Sequence, residues 1–128
     1  MFITKKLTDH IKKTSETCGE ISEVLTRGEY AHLDVAVICG ITHTVAHYHA
    51  SFDEVYLVAS GALTVEFYDP ARQHKWAETY HSDELCVIGK GLHHKVVGGT
   101  AQNKLIVICV PGFDLADEHI SEVLESAG

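Results

Sequence analysis

The sequence predicts an all-β fold, an antiparallel sandwich or barrel built as one domain. Three observations point there. From Glu20 onward, short runs rich in Val, Ile, Leu, Thr and Tyr recur at near-regular spacing. Turn-forming residues stand between them: Arg27-Gly28, Ser60-Gly61, Asp69-Pro70, Gly89-Lys90-Gly91 and Gly98-Gly99. A chain of 128 residues has room for one core and not for two.

Taken in order, residues 1–19 form an N-terminal arm, within which residues 4–16 read as a short amphipathic helix or irregular segment carrying Leu7 and Ile11. Residues 20–115 form the barrel. Strands are expected over 21–26, 31–39, 42–48, 54–59, 62–68, 75–80, 85–88, 94–97 and 104–110. Gly61 permits the tight turn between two of them, where a positive φ is expected. Residues 116–128 form a tail. Leu115, Ile120 and Leu124 recur there at roughly helical spacing, so a short C-terminal helix packed on the barrel is expected. There is no internal repeat, low-complexity stretch or linker.

Composition narrows the function. Acidic side chains outnumber basic ones by 18 to 10, for a net charge of −8. A surface built to neutralise phosphates leans the other way, so nucleic acid and anionic membranes are not expected partners. No apolar run suits a signal peptide or a membrane span, and a soluble cytoplasmic protein is expected. Cys18, Cys39, Cys86 and Cys109 show no C-x-x-C pairing, and three of them sit inside apolar runs. They read as free, structural thiols. Ten histidines are the compositional oddity; His10, His32, His74, His81 and His119 read as exposed polar side chains.

The informative stretch is His47-Tyr48-His49, followed by Glu54 and then Gly61. Residues two apart on a strand point to one face, so His47 and His49 can grip one ion. A turn through 50–53 returns the chain, and Glu54 opens the next strand as an oxygen ligand. An isolated H-x-H is expected by chance roughly 0.8 times in so histidine-rich a chain, whereas the composite is expected roughly 0.005 times. A fourth ligand comes from His93-His94. If a strand starts at Leu92, His94 and Val96 share one face while His93 shares the other with Lys95, which belongs in solvent. His94 therefore points inward. His43 has the same parity as His47 and His49 and could reach the pocket rim, and Tyr56 shares parity with Glu54 and could donate a hydrogen bond to substrate.

His47, His49, Glu54 and Gly61 match the core of the first cupin motif, H-x-H-x4-E-x6-G, and the chain resembles a small single-domain cupin. Gly91 and His94 match the second motif, where Asp83, Gly89 and Gly98 stand in place of its Gly, Pro and Asn. The resemblance covers roughly residues 20–115. It implies a double-stranded β-helix, or jelly-roll, barrel around one divalent metal ion held by His47, His49, Glu54 and His94. Three imidazoles and one carboxylate suit iron, manganese or nickel, with zinc possible, and affinity should fall in acid. The chemistries implied are oxygen-dependent oxidation of a small organic substrate, of the dioxygenase type, and sugar-phosphate isomerisation or epimerisation. A third implied role is binding of a sugar or carboxylate without turnover. Phosphate recognition needs cations, and the motif stretch has none. The resemblance also implies a homodimer, with residues 1–19 as a natural contributor.

Overall fold

In the computed structural model, which describes residues 1–15 and 17–126, eleven strands form among the described residues. They are β1 (Ile11–Ser15), β2 (Gly19–Leu25), β3 (Asp34–Cys39), β4 (His47–Tyr48), β5 (Asp53–Ser60) and β6 (Ala62–Asp69). The rest are β7 (His74–His81), β8 (Leu85–Ile88), β9 (His93–Gly99), β10 (Lys104–Val110) and β11 (His119–Ile120). Two sheets result, one ordered β1-β2-β3-β10-β5-β8 and the other β11-β4-β9-β6-β7, antiparallel throughout.

Alternation explains why these residues face each other. Glu54, Tyr56 and Val58 of β5 are buried, as are Leu63, Val65 and Phe67 of β6. Their neighbours are partly exposed, so one face of each sheet supplies a shared core. Leu105, Val107 and Cys109 of β10 and Val96 of β9 complete it. Gly61 turns the chain from the first sheet into the second with φ +73°, and a Cβ there would lie 2.9 Å from Asn103 Cα. Only glycine meets both conditions.

Three expectations are corrected. Within 4–16, Ile11–Ser15 is neither helical nor irregular; it pairs with β2 as a hairpin, Lys13 opposite Ile21 and Ser15 opposite Gly19. Pairing gives these backbone groups partners that an isolated short helix would lack. Of 42–48, only His47–Tyr48 joins a sheet. The preceding stretch is tied instead by single bonds, Thr44 N–H to Val96 O and Val45 N–H to Thr17 O. The tail is mostly not helical. A 3₁₀ turn at Leu115–Asp117 leads to β11, which pairs with β4, and α1 (Glu122–Ser126) is one short turn. Leu124 is buried but Leu115 and Ile120 are exposed, because pairing with β4 overrides the helical spacing. The last two residues of the expected tail lie outside the described residues.

Candidate metal centre

The candidate centre lies where the two sheets meet. Cross-strand pairing places His47 of β4 opposite His94 of β9, and their ring centroids are 4.3 Å apart. His49 follows β4 directly, and Glu54 reaches in from β5 of the other sheet. All four side chains are buried. Each offers a ligand atom, and the four atoms lie within 4.8 Å of one another.

The three imidazoles share one arrangement. His47 Nδ1 bonds the Val45 carbonyl at 2.7 Å, His49 Nδ1 the Asp117 carbonyl at 2.6 Å, and His94 Nδ1 the Leu92 carbonyl at 3.1 Å. A carbonyl only accepts, so each Nδ1 carries the hydrogen and each Nε2 presents a lone pair. His49 Nε2 and His94 Nε2 stand 3.0 and 3.1 Å from the same oxygen, Glu54 Oε1. Those contacts lack hydrogen-bond geometry, and all three buried atoms are without a partner. Lone pairs converging on one point repel unless a cation sits among them. The donor set and the orphaned atoms therefore fit a divalent ion.

Electrostatics agree. Burial, reinforced by His94, pushes His47 down to about 3, so it stays neutral. Burial also presses His49 downward, but the Glu54 carboxylate and the Asp117 carbonyl outweigh it and raise the net value. Burial would raise Glu54; His49 and His94 beside it instead hold it well below the usual carboxylate range.

His94 points inward and is fully buried, whereas His93 turns outward, stacks on Tyr48 at 4.4 Å and shares a hydrogen bond with Ser121 Oγ. Tyr56 is buried 6.0 Å from the His94 ring, edge to face, and lines a cavity of about 30 Å³ with His49 and Glu54. Burial, then Glu54, lifts its phenol well above the ordinary value, so it remains a donor. His43 is exposed and lines no part of that cavity. The parity argued for it needs a continuous strand, and 42–46 is not one. Asp117 and Cys109 were not legible as site residues. Asp117 anchors His49 by its carbonyl, while its carboxylate accepts from Ala50 N–H, Ser51 N–H and the Ser51 hydroxyl. Cys109 Sγ faces Glu54 Oε2 at 3.8 Å. Asp117 lies 63 or more positions from His47, His49 and Glu54 in sequence, toward the far end of the chain, and no spacing rule connects them.

No protein-family model matches the sequence, and no curated relative does. Solved structures do match. Oxalate decarboxylase from Bacillus subtilis superposes with a TM-score of 0.76 at 16% identity over 94% of this chain. A protein from Planctomyces limnophilus gives 0.76 at 21% identity, covering 94% of this chain and 97% of its own. The nucleoside dehydratase Pac13 gives 0.68 at 11% identity, covering 94% and 92%. The fold is that of a small cupin. The chain spans about a third of the length of oxalate decarboxylase, whose Bacillus enzyme has Mn(II) centres. Within the cupin barrel, Asp83 takes φ +70° where the second motif has glycine, a conformation aspartate tolerates better than most residues.

Proposed function

We propose that this cupin is a metal-dependent enzyme acting on a small organic molecule, with one divalent ion held by His47, His49, Glu54 and His94. The observation that carries the reading is the convergence of His49 Nε2, His94 Nε2 and Glu54 Oε1, buried and unpartnered, on a single point. When bound, iron, manganese or nickel supplies Lewis acidity and a place for substrate or oxygen. The chain's own residues supply the rest. The carbonyls of Val45, Leu92 and Asp117 fix the imidazole tautomers, and Tyr56 offers a phenol proton to a bound molecule.

Oxygen-dependent oxidation, of the dioxygenase type, is the reaction we favour. Its support is negative charge and apolar lining where a sugar-phosphate isomerase needs cations: among the described residues, no lysine or arginine lines the cavity. Elemental mass spectrometry on wild type beside His49→Ala is the first test. Near-stoichiometric metal in wild type, lost in the variant, is expected. No metal in either after reconstitution would overturn the reading. Oxygen uptake with iron loaded then tests the reaction against catechols, thiols and β-diketones. A sugar or carboxylate bound without being consumed would favour a binding protein instead.

The proposal includes pairing of two copies in a reducing, cytoplasmic setting. All four cysteines are free. Two apolar rows cross the outer face of the larger sheet, Val35-Ile108-Val55-Val87 and Val37-Ile106-Leu57-Leu85. Leu85 and Val87 are more than half exposed, and Met1 and Phe2 of the arm are almost fully so. An apolar face of this kind, bordered by Lys104 and Asp53, is suited to its own copy.

A further inference from the structure

The cavity beside the candidate centre has an unusual wall. Besides Glu54 it carries Glu23, Asp34 and Glu118, set among apolar side chains such as Ile21, Ile38 and Val107. Glu23, Asp34 and Phe113 also line an outer cleft of about 290 Å³ that carries Lys13 and Arg27. The three side chains therefore stand between solvent and the metal centre. Asp34 and Glu23 are buried, and Asp34 Oδ2 accepts from Phe113 N–H at 2.6 Å, which holds the aromatic residue in place. Lys13 pairs with Glu23 at 3.0 Å from the outer side. The buried, unpartnered His49 Nε2 and Glu54 Oε1 belong to residues of the inner wall, so the cavity ends on atoms that call for a ligand.

We propose that substrate reaches the metal centre between Glu23, Asp34 and Phe113, and that this passage selects a small, mainly apolar molecule without negative charge. The inference rests on the metal-centre reading above and deepens it to a substrate class. Lys13 and Arg27 line the outer cleft alone, so within the inner cavity four carboxylates face only the two positive charges of a divalent ion, and an anion is repelled there. Apolar walls favour a hydrocarbon body, and the carboxylates accept from its donors. Apart from the metal itself, a dicarboxylate or phosphate ester meets no lysine or arginine among the described residues of the inner cavity.

The test uses cobalt(II)-loaded full-length protein and follows the visible absorption of the metal during titration with azide, a small anion, and imidazole, a neutral ligand. Wild type is compared with Glu23→Gln, Asp34→Asn and Glu118→Gln, and with Glu20→Gln as an exposed acid away from the passage. Azide affinity is expected to rise by about tenfold in Asp34→Asn or Glu23→Gln, with imidazole unchanged and Glu20→Gln like wild type. Asn and Gln keep an acceptor oxygen; if either buried variant fails to fold, the half-buried Glu118→Gln carries the same comparison. Equal azide affinity in wild type and the passage variants would overturn the inference, as would an equal gain for both probes or a gain in Glu20→Gln. Failure of wild type to take up cobalt would instead overturn the metal centre itself.

Discussion

Asp117 does two jobs with one residue, and both converge on His49. Its carbonyl fixes the His49 ring, and its carboxylate holds the 50–51 turn that follows the ring in sequence. Loss of the side chain in Asp117→Ala is expected to cost about 1–3 kcal/mol of stability, read by urea unfolding. Metal affinity should fall by about tenfold or more, because an outer partner of a ligand has moved. The same carboxylate gives a pH dependence of known sign. Burial would raise it, but the Ser51 hydroxyl, the Ala50 and Ser51 amides and His119 hold it below the usual range. A folded value below the unfolded one contributes stability that is present above about pH 4 and lost as pH falls toward the folded value. The stability gap between wild type and Asp117→Asn should therefore shrink on acidification below about pH 4. A gap that widens in acid would sink this account.

At the scale of elements, the corner between β5 and β6 is the most constrained point outside the centre. Asn103 is buried; its Oδ1 accepts from Ile41 N–H, and its Nδ2 donates to the carbonyls of Ile41 and Ala62. It thereby ties three segments beside Gly61. Gly61→Ala is expected to destabilise by about 2–4 kcal/mol, since it adds both a left-handed alanine and a backbone clash. Asp83→Gly, in contrast, relieves a left-handed residue in an exposed turn and should change stability by no more than about 1 kcal/mol. Thermal melts of the pair separate the two effects. The strands that alternate regularly, such as β5, β6 and β10, were readable because side-chain period and burial coincide. Strand β1 and the tail were not, since β1 is an almost wholly exposed edge strand without alternation and the tail pairs with a strand distant in sequence.

For the molecule as a whole, the metal and the outer sheet face set the expected behaviour. An ion bound only by the folded chain stabilises it by mass action, so chelation should lower the melting temperature by roughly 5 °C or more. An unchanged melting curve would mean that the four ligands hold their geometry without help. Light scattering should give the mass of a dimer, and Val87→Lys, placed in the apolar outer row, should shift it toward monomer. A monomer mass for wild type would dispose of the pairing.

The sequence by itself determined the strand-rich class and the identity of the four converging side chains. Each of these is written in local spacing: alternation, turn residues, and two histidines and a glutamate within eight positions. Tertiary structure alone decided which imidazole nitrogen faces inward, because that depends on the carbonyls of Val45, Leu92 and Asp117. It also decided that the tail supplies one of those carbonyls, and that Glu23 and Asp34 stand with Phe113 at the cavity wall. Val45 and Leu92 lie two positions from their rings, but a backbone conformation that alternation does not specify aims their carbonyls. The Asp117 contact and the cavity wall join residues far apart in the chain, and no period of two or of 3.6 carries information across such a distance.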